Sequence, residues 1–193
     1  MICPNLADFP VKIGSSASGY LNGNEIICGG GYGNSSGSTA CYNLMDGTHQ
    51  KSLNRPREVA AAVTLENVFL VFGGVNDQNP DGLNSVEILS QDENSPVMIN
   101  IPFKWYLGCA VKISRNAVML LGGKQDGIEE SKTWIFDFQN GVSQGPEMTR
   151  TRWILGCGKL SGLNSVAAFG GVAPATKSTE ILSDLGFFKQ SIF

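Results

Sequence analysis

The apolar stretches of this chain are short, and four of them run directly into a pair of glycines. They span residues 26–28, 70–72, 119–121 and 167–169. The glycine doublets that follow are Gly29 and Gly30, Gly73 and Gly74, Gly122 and Gly123, and Gly170 and Gly171. The first glycines of successive doublets are 44, 49 and 48 residues apart. Such even spacing indicates an internal repeat.

Two kinds of residue precede each doublet in register, and a third marker follows it. A basic residue lies 16 to 18 positions before the doublet, at Lys12, Arg57, Lys104 and Arg152. Small side chains come shortly after it, within residues 16–18, 60–62, 108–110 and 156–158. An apolar pair follows the doublet, at residues 41–42, 88–89, 135–136 and 181–182. Three markers in four copies indicate a genuine repeat.

Each repeat predicts several short β-strands joined by turns. Runs of β-branched and aromatic residues, such as 67–72 and 85–89, are separated by Gly, Asn, Asp, Ser and Pro. No stretch has a convincing helical period with capping residues. A four-stranded sheet repeated around an axis is a propeller blade, whose innermost strands converge and require small side chains. Its second strand is apolar on both faces, and glycines at the strand end let the chain turn beside neighbouring backbone.

These residues resemble the kelch repeat, in which an apolar strand, a glycine doublet, an apolar third strand and a basic residue recur. The resemblance covers essentially the whole chain and implies an all-β, kelch-type β-propeller of about four blades, each with four antiparallel strands. Residues 1–193 would form one region, with blades near 10–55, 56–102, 103–150 and 151–193 and with residues 1–9 as the outer strand of an adjacent or closing blade. The tryptophan that kelch blades usually carry after the third-strand aromatic is absent, and Trp105, Trp134 and Trp153 lie elsewhere in the repeat.

The number of blades in the complete ring is open at this point. Kelch propellers commonly close with five to seven blades, whereas this chain supplies about four. Four blades could close on themselves, or they could belong to a larger ring. An incomplete ring exposes apolar blade faces and unpaired strand edges, which natural proteins avoid. We therefore expect the chain to be part of a larger ring.

The chain has five cysteines, so they cannot all pair internally. Cys28 and Cys41 lie at the ends of a second and a third strand of one blade, and we expect a disulfide between them. The other blades hold apolar pairs there, namely Phe72 with Ile88, Leu121 with Ile135, and Phe169 with Ile181. A disulfide would favour an oxidising, extracellular compartment, whereas reduced thiols would favour the cytoplasm.

The remaining cysteines carry weaker expectations. Cys109 and Cys157 fall at one repeat position on innermost strands, and we expect both to be small packing residues. Cys3 could pair outside this chain or stay free. Asn34 begins an Asn-Ser-Ser sequence, which makes it a candidate glycosylation site.

Composition narrows the classes of partner. Hydrophobic residues make up 42% of the chain, charged residues 16%, and the net charge is −3. The Lys and Arg residues are scattered, so neither nucleic acid nor an anionic membrane is indicated as a partner. No apolar stretch approaches the ~18 residues that span a bilayer, so membrane insertion is not expected.

Candidate chemistry is scarce. The single histidine, His49, lies in a polar stretch and is interpreted as a solvated turn residue. No Cys-x-x-Cys spacing or nearby histidine indicates a zinc site. We therefore expect no catalytic, cofactor-binding or metal-binding residues. Kelch-like propellers include copper oxidases of the galactose-oxidase type, but such a metal needs several imidazole and phenolate ligands.

The resemblance implies a non-catalytic scaffold for protein–protein interaction, because kelch proteins mostly bind other proteins. The expected contacts are the loops between second and third strands, at residues 31–38, 75–84, 124–131 and 172–177. The four basic positions could dock an anionic partner, but pairing with nearby carboxylates or carbonyls is the simpler expectation. The alternative function is a propeller enzyme of the galactose-oxidase type whose catalytic residues lie in blades outside this sequence.

Overall fold

The computed structural model describes residues 9–31, 37–160, 165–172, 178–183 and 186–190, the last of these by their backbone alone. Within these ranges the chain forms β-strands and no helix, which confirms the all-β prediction. The strands are β1 (Ala17–Leu21), β2 (Asn24–Cys28), β3 (Cys41–Asn43), β4 (Ala61–Leu65), β5 (Val68–Phe72), β6 (Leu83–Leu89), β7 (Val97–Tyr106), β8 (Cys109–Lys112), β9 (Ala117–Leu121), β10 (Lys124–Gln125), β11 (Ile128–Glu129), β12 (Thr133–Asp137), β13 (Gly141–Gln144), β14 (Gly156–Leu160), β15 (Ser165–Phe169), β16 (Thr179–Ser183) and β17 (Gly186–Gln190).

The strands form four antiparallel sheets, which we call units 1 to 4. Their strand orders are β1-β2-β3, β11-β10-β7-β6-β5-β4, β13-β12-β9-β8 and β14-β15-β16-β17. In every unit the strand that follows the small residues pairs with the strand that ends at the doublet, which pairs in turn with a third strand. Four strands per sheet holds for units 3 and 4. Unit 1 has three described strands, and unit 2 gains the hairpin β10–β11, because the ten-residue strand β7 extends past its own sheet.

The units follow one another in sequence order. The first strands of neighbouring units contact each other, β1 with β4, β4 with β8, and β8 with β14. No comparable contact joins β14 to β1 in the described part of the chain. The described residues therefore form a row of sheets that is open between units 4 and 1.

Apolar side chains fill the space between neighbouring units rather than one central core. The cluster between units 1 and 2 contains Ala17, Leu21, Ile26, Cys28, Cys41, Leu53, Phe69, Val71 and Leu89. The cluster between units 2 and 3 contains Leu65, Leu70, Phe72, Val86, Ile101, Phe103, Trp105, Val118, Leu120 and Phe136. The cluster between units 3 and 4 contains Val111, Met119, Leu121, Met148, Val166 and Ala168. Successive side chains of a strand point to opposite faces, so β5 and β9 each serve two clusters and are apolar throughout.

Three of the four glycine doublets begin at positions where a Cβ would collide with neighbouring backbone. Gly73 has φ +58°, and a Cβ there would lie 1.8 Å from the carbonyl oxygen of Trp105, in the end of β7 that leads into unit 3. At Gly122, with φ +55°, a Cβ would lie 2.3 Å from the carbonyl oxygen of Arg152. At Gly170 a Cβ would meet no described atom within 4 Å. The doublet therefore marks where the following unit approaches, and no described unit approaches unit 4.

The exposure of Phe169 has the same origin. It ends β15 as Phe72 ends β5 and Leu121 ends β9, and those two side chains are fully buried. Phe169 is 47% exposed, because no described unit packs against that side of unit 4.

The pairing of second with third strands corrects one expectation about the repeat. Phe72 pairs with Val86, Leu121 with Thr133, and Phe169 with Thr179, rather than with Ile88, Ile135 and Ile181. The isoleucines lie two residues further along and pair with Leu70, Met119 and Ala167. A shift of two residues keeps every side chain on the same face, so the apolar pattern alone does not reveal it.

Candidate functional site

One end of the units gathers most of the irregular backbone, and we call it the loop face. The doublets, the entries into the first strands and the loops between second and third strands all lie there, because antiparallel pairing places the start of a first strand beside the end of a second strand. Of the predicted contact loops, residues 75–84 and 124–131 are described, and the second forms the β10–β11 hairpin. The loops at 31–38 and 172–177 lie largely outside the described residues.

Four residues in left-handed conformation mark equivalent positions of this face. They are Ser15, Val59, Leu107 and Ile154, with φ of 54°, 50°, 57° and 51°. A β-branched residue rarely adopts such a φ, so Val59 and Ile154 carry backbone strain. Sequence reasoning missed this feature, because no residue type common to the four positions signals it.

Backbone hydrogen bonds connect these four residues from unit to unit. The Val59 N–H donates to the Ser15 carbonyl at 2.8 Å, the Leu107 N–H to the Val59 carbonyl at 3.1 Å, and the Ile154 N–H to the Leu107 carbonyl at 2.8 Å. This series of hydrogen bonds does not close into a ring, because the backbones of Ser15 and Ile154 do not bond to each other in the described structure. Each strained residue is thus held by its neighbour, which fixes the backbone at the centre of the loop face.

A cavity of about 500 Å³ opens at this centre. Its lining consists of small and apolar residues, namely Ser15, Ser16, Val59, Ala60, Leu107, Gly108, Ile154, Leu155 and Gly156. No titratable side chain is among these lining residues. The cavity offers apolar contact and two serine hydroxyls, which suits the binding of a side chain or small group.

Arg57 is buried inside unit 2, where its two terminal guanidinium nitrogens meet partners on the third strand and the doublet. Its guanidinium forms an ion pair with Glu87 and donates to the Gly73 carbonyl at 2.6 Å and to the Ser85 hydroxyl at 3.1 Å. Burial lowers the pKa of Arg57, and the neighbouring Glu87 carboxylate raises it. The carboxylate also accepts from the backbone N–H groups of Asn54 and Arg55.

Arg152 repeats this arrangement in unit 4. Its guanidinium pairs with Glu180 at 2.9 Å and donates to the Gly170 carbonyl at 2.6 Å and to the Ser178 hydroxyl at 2.8 Å. Both arginine side chains and both carboxylates are fully buried. Arg57 and Arg152 therefore stabilise their own units and do not dock an anionic partner. A Ser-x-Glu sequence on the third strand was the signal that sequence reasoning missed.

The two lysines assigned to the same repeat position do not occupy it. The carbonyl that receives the second glycine's N–H belongs to Arg57, Arg152 and, in unit 3, Trp105 rather than Lys104. The Trp105 indole N–H donates to the Gly122 carbonyl at 2.7 Å, as the arginines donate to their own doublets. Lys104 is exposed. The sequence alignment of the repeats was wrong by one residue here. Residues 104–110 and 152–158 are nearly identical in sequence, but in the structure Trp105 rather than Lys104 takes the position of Arg152.

Unit 1 shows the same displacement. In unit 2 the buried Arg57 lies two residues before the left-handed Val59. The equivalent residue of unit 1, two residues before the left-handed Ser15, is Ile13. Lys12 precedes that position and is exposed. Only two of the four expected basic residues therefore belong to the buried set.

The expected disulfide between Cys28 and Cys41 is confirmed. The two residues are direct partners of β2 and β3, with an S–S distance of 1.99 Å. Both are buried in the cluster between units 1 and 2. The bond ties neighbouring strands within one unit.

A second disulfide joins Cys109 to Cys157, so the expectation that both are merely small packing residues was wrong. The S–S distance is 2.06 Å, and the bond links β8 of unit 3 to β14 of unit 4. Cys109 pairs with Leu121, the last residue before its doublet, whereas Cys157 pairs with Ala168, one residue earlier. Cys109 and Cys157 therefore occupy repeat positions that differ by one residue. Because side chains alternate along a strand, the offset turns each cysteine toward the other unit.

The other candidate residues form no reactive cluster. His49 is exposed and its ring contacts the Tyr42 ring edge-on, with centroids 5.4 Å apart. No group of three His, Cys, Asp or Glu side chains in the described ranges could hold a metal ion. Asn34 and Cys3 lie outside the described residues. Among those residues no helix is long and apolar enough to cross a membrane.

No protein-family model matches the chain, and no curated protein is similar to it in sequence. The fold is similar to that of the solved structure of a protein named YjhT, with a TM-score of 0.77 and 17% sequence identity. The alignment covers 96% of this chain and 67% of that chain. At this identity the likeness concerns the fold alone.

Proposed function

We propose that the chain forms four blades of a kelch-type β-propeller and serves as a non-catalytic scaffold that binds a protein partner through the loop face. The fixed central backbone of that face carries the proposal. It repeats in all four units, while the side chains at equivalent positions differ from unit to unit. A rigid frame with variable side chains is how many folds present a binding surface.

Two observations support the propeller architecture. The first strands contact one another in sequence order, and left-handed residues at equivalent positions bond from unit to unit. The second strands β5 and β9 are apolar on both faces because each packs between two units. The row is open beyond Phe169, where the side chain is exposed and Gly170 meets no described neighbour.

Exposed apolar residues on the loop face support a protein as the partner. Ile154 at the central cavity is 57% exposed, and Ile128 at the tip of the β10–β11 hairpin is 67% exposed. Exposed apolar groups on a fixed backbone supply the desolvated anchors that dominate the affinity of protein–protein interfaces.

The first test is capture of a partner followed by reconstitution. Proteins retained from an extract by the immobilised chain are identified, expressed and measured against the purified chain by calorimetry. We expect saturable binding that Ile154→Asp weakens by at least tenfold, because a carboxylate would replace the apolar anchor. The matched control is Arg115→Ala, whose side chain is 87% exposed at the turn between β8 and β9 on the opposite end.

Binding that Arg115→Ala weakens as strongly as Ile154→Asp would contradict a loop-face interface. The absence of any reconstituted protein complex would contradict the scaffold function itself.

A further inference from the structure

A polar cleft lies on the loop face and shares no lining residue with the central cavity. Its volume is about 500 Å³, and its lining consists of Asn54, Arg55, Pro56, Asn76, Gln78 and Asn79. Two segments form it, the entry into unit 2 and the loop between β5 and β6. Four amide side chains and one guanidinium line the cleft and give it a single positive charge. Three of the amides, those of Asn54, Asn76 and Asn79, already donate within the chain. Asp77 and Asp81 belong to the same loop but do not line the cleft.

Hydrogen bonds hold both walls of the cleft in place. The buried Asn76 donates its Nδ2 to the Pro56 carbonyl at 2.8 Å, and its Oδ1 accepts from the Asn79 backbone at 2.9 Å and the Asn79 amide at 3.1 Å. On the other wall, the Arg55 backbone N–H donates to the buried Glu87 carboxylate at 3.0 Å. The loop and the entry segment are therefore positioned before any ligand binds, which reduces the entropic cost of binding.

The Arg55 side chain contrasts with this fixed backbone. It is exposed, and its guanidinium makes no hydrogen bond or ion pair with any residue that the structure describes. Burial is the main cause of the lowered pKa of Arg57, and the nearby Arg55 charge lowers that pKa further. The planar guanidinium matches the two oxygens of a carboxylate with parallel N–H bonds.

We propose that this cleft binds a carboxylate, an aspartate or glutamate side chain of a protein partner, between the Arg55 guanidinium and the exposed amide of Gln78. The inference rests on the proposed function, because it names the chemistry of the partner on that same face. A small carboxylic acid would use the same donors, so the test separates a peptide from a small acid.

The test is a titration of the ¹⁵N-labelled chain followed by nuclear magnetic resonance at constant ionic strength. Three probes are used, the peptide acetyl-Gly-Glu-Gly-amide, its glutamine counterpart and sodium acetate. We expect saturable shifts of the Arg55 side-chain Nε–H and of the amides of residues 76–79 with the glutamate peptide, weaker binding of acetate, and no such shifts with the glutamine peptide. Arg55→Gln should weaken the glutamate peptide by about tenfold or more, since it removes a charge-assisted pair.

Arg150→Gln is the matched control. Arg150 precedes Arg152 by two residues as Arg55 precedes Arg57, but residues 173–177 of its own loop include no Asn or Gln. This variant should bind the glutamate peptide as the unchanged chain does.

Four results would overturn the inference. Equal binding of the glutamine peptide would remove the role of charge, and equal loss in Arg150→Gln would make the effect one of net charge. Acetate binding as tight as the glutamate peptide would assign the cleft to small acids. If no probe binds while a partner is still captured and Ile154→Asp still weakens it, the carboxylate cleft fails and the proposed scaffold function stands.

Discussion

The repeated basic position shows that one carboxylate on the third strand decides whether a basic side chain is buried. Arg57 is buried because Glu87 faces it from the third strand, and Arg152 is buried because Glu180 does. In unit 3 the same position holds Trp105, which supplies one N–H donor and needs no carboxylate. A buried charge is tolerated only with its partner and with hydrogen bonds for its other groups. The basic residue and the Ser-x-Glu sequence therefore belong together.

The first stability prediction tests the buried pair. Glu87→Ala leaves the Arg57 guanidinium buried without its carboxylate, and we expect a loss of about 3–5 kcal/mol in the free energy of unfolding. Urea denaturation followed by circular dichroism measures the change. Glu66→Ala is the control, because Glu66 is 55% exposed and its pair with Lys112 contributes no more than about 1 kcal/mol.

If Glu87→Ala loses no more stability than Glu66→Ala, the Arg57 charge is solvated and the pair is not structural.

At the scale of the strand, the apolar pattern predicts which residues form a strand and on which face each side chain lies. It does not predict which residues of neighbouring strands pair. The apolar runs before the doublets correctly predict β5, β9 and their equivalents, because an apolar strand between two sheets has an unmistakable composition. The partner of Phe72 was misplaced by two residues, since Val86 and Ile88 lie on the same face. The Cys109–Cys157 disulfide was missed for the opposite reason. An offset of one residue turns a side chain to the other face, and the near-identical flanking sequences conceal it.

The doublets give a second prediction at this scale, because Gly122 and Gly170 have similar φ but different surroundings. Gly170→Ala should cost about 1–2 kcal/mol in unfolding free energy for the left-handed backbone alone. Gly122→Ala should cost more, since its Cβ would also lie 2.3 Å from the Arg152 carbonyl oxygen. Thermal and urea denaturation of the two variants measure the difference.

Equal losses in the two variants would contradict the close approach of unit 4 to the doublet of unit 3.

Over the whole molecule, stability is distributed among the interfaces between neighbouring units. Each apolar cluster joins two units, so a unit depends mainly on the units beside it, as in other repeat proteins. The two disulfides differ in whether they lie within one unit or join two units. Cys28–Cys41 closes a short segment within unit 1, whereas Cys109–Cys157 crosses the interface between units 3 and 4. The interface between units 2 and 3 contains no disulfide among the described residues, and its larger aromatic cluster holds the two halves together.

This division predicts different consequences for the loss of each disulfide. The sequence separations are 13 for Cys28–Cys41 and 48 for Cys109–Cys157, which correspond to roughly 3 and 4 kcal/mol of chain entropy in the unfolded state. Cys109→Ala with Cys157→Ala should therefore destabilise the chain more, and hydrogen exchange should accelerate first in β14 and β15. Cys28→Ala with Cys41→Ala should accelerate exchange in β2 and β3 and leave β14 protected. Mass spectrometry of exchanged peptides, together with alkylation of the unreduced chain to show that these four cysteines are blocked, provides the measurement. Uniform acceleration in both double variants would mean that the units unfold as a single cooperative body, and that each disulfide stabilises the whole chain rather than the strands it joins.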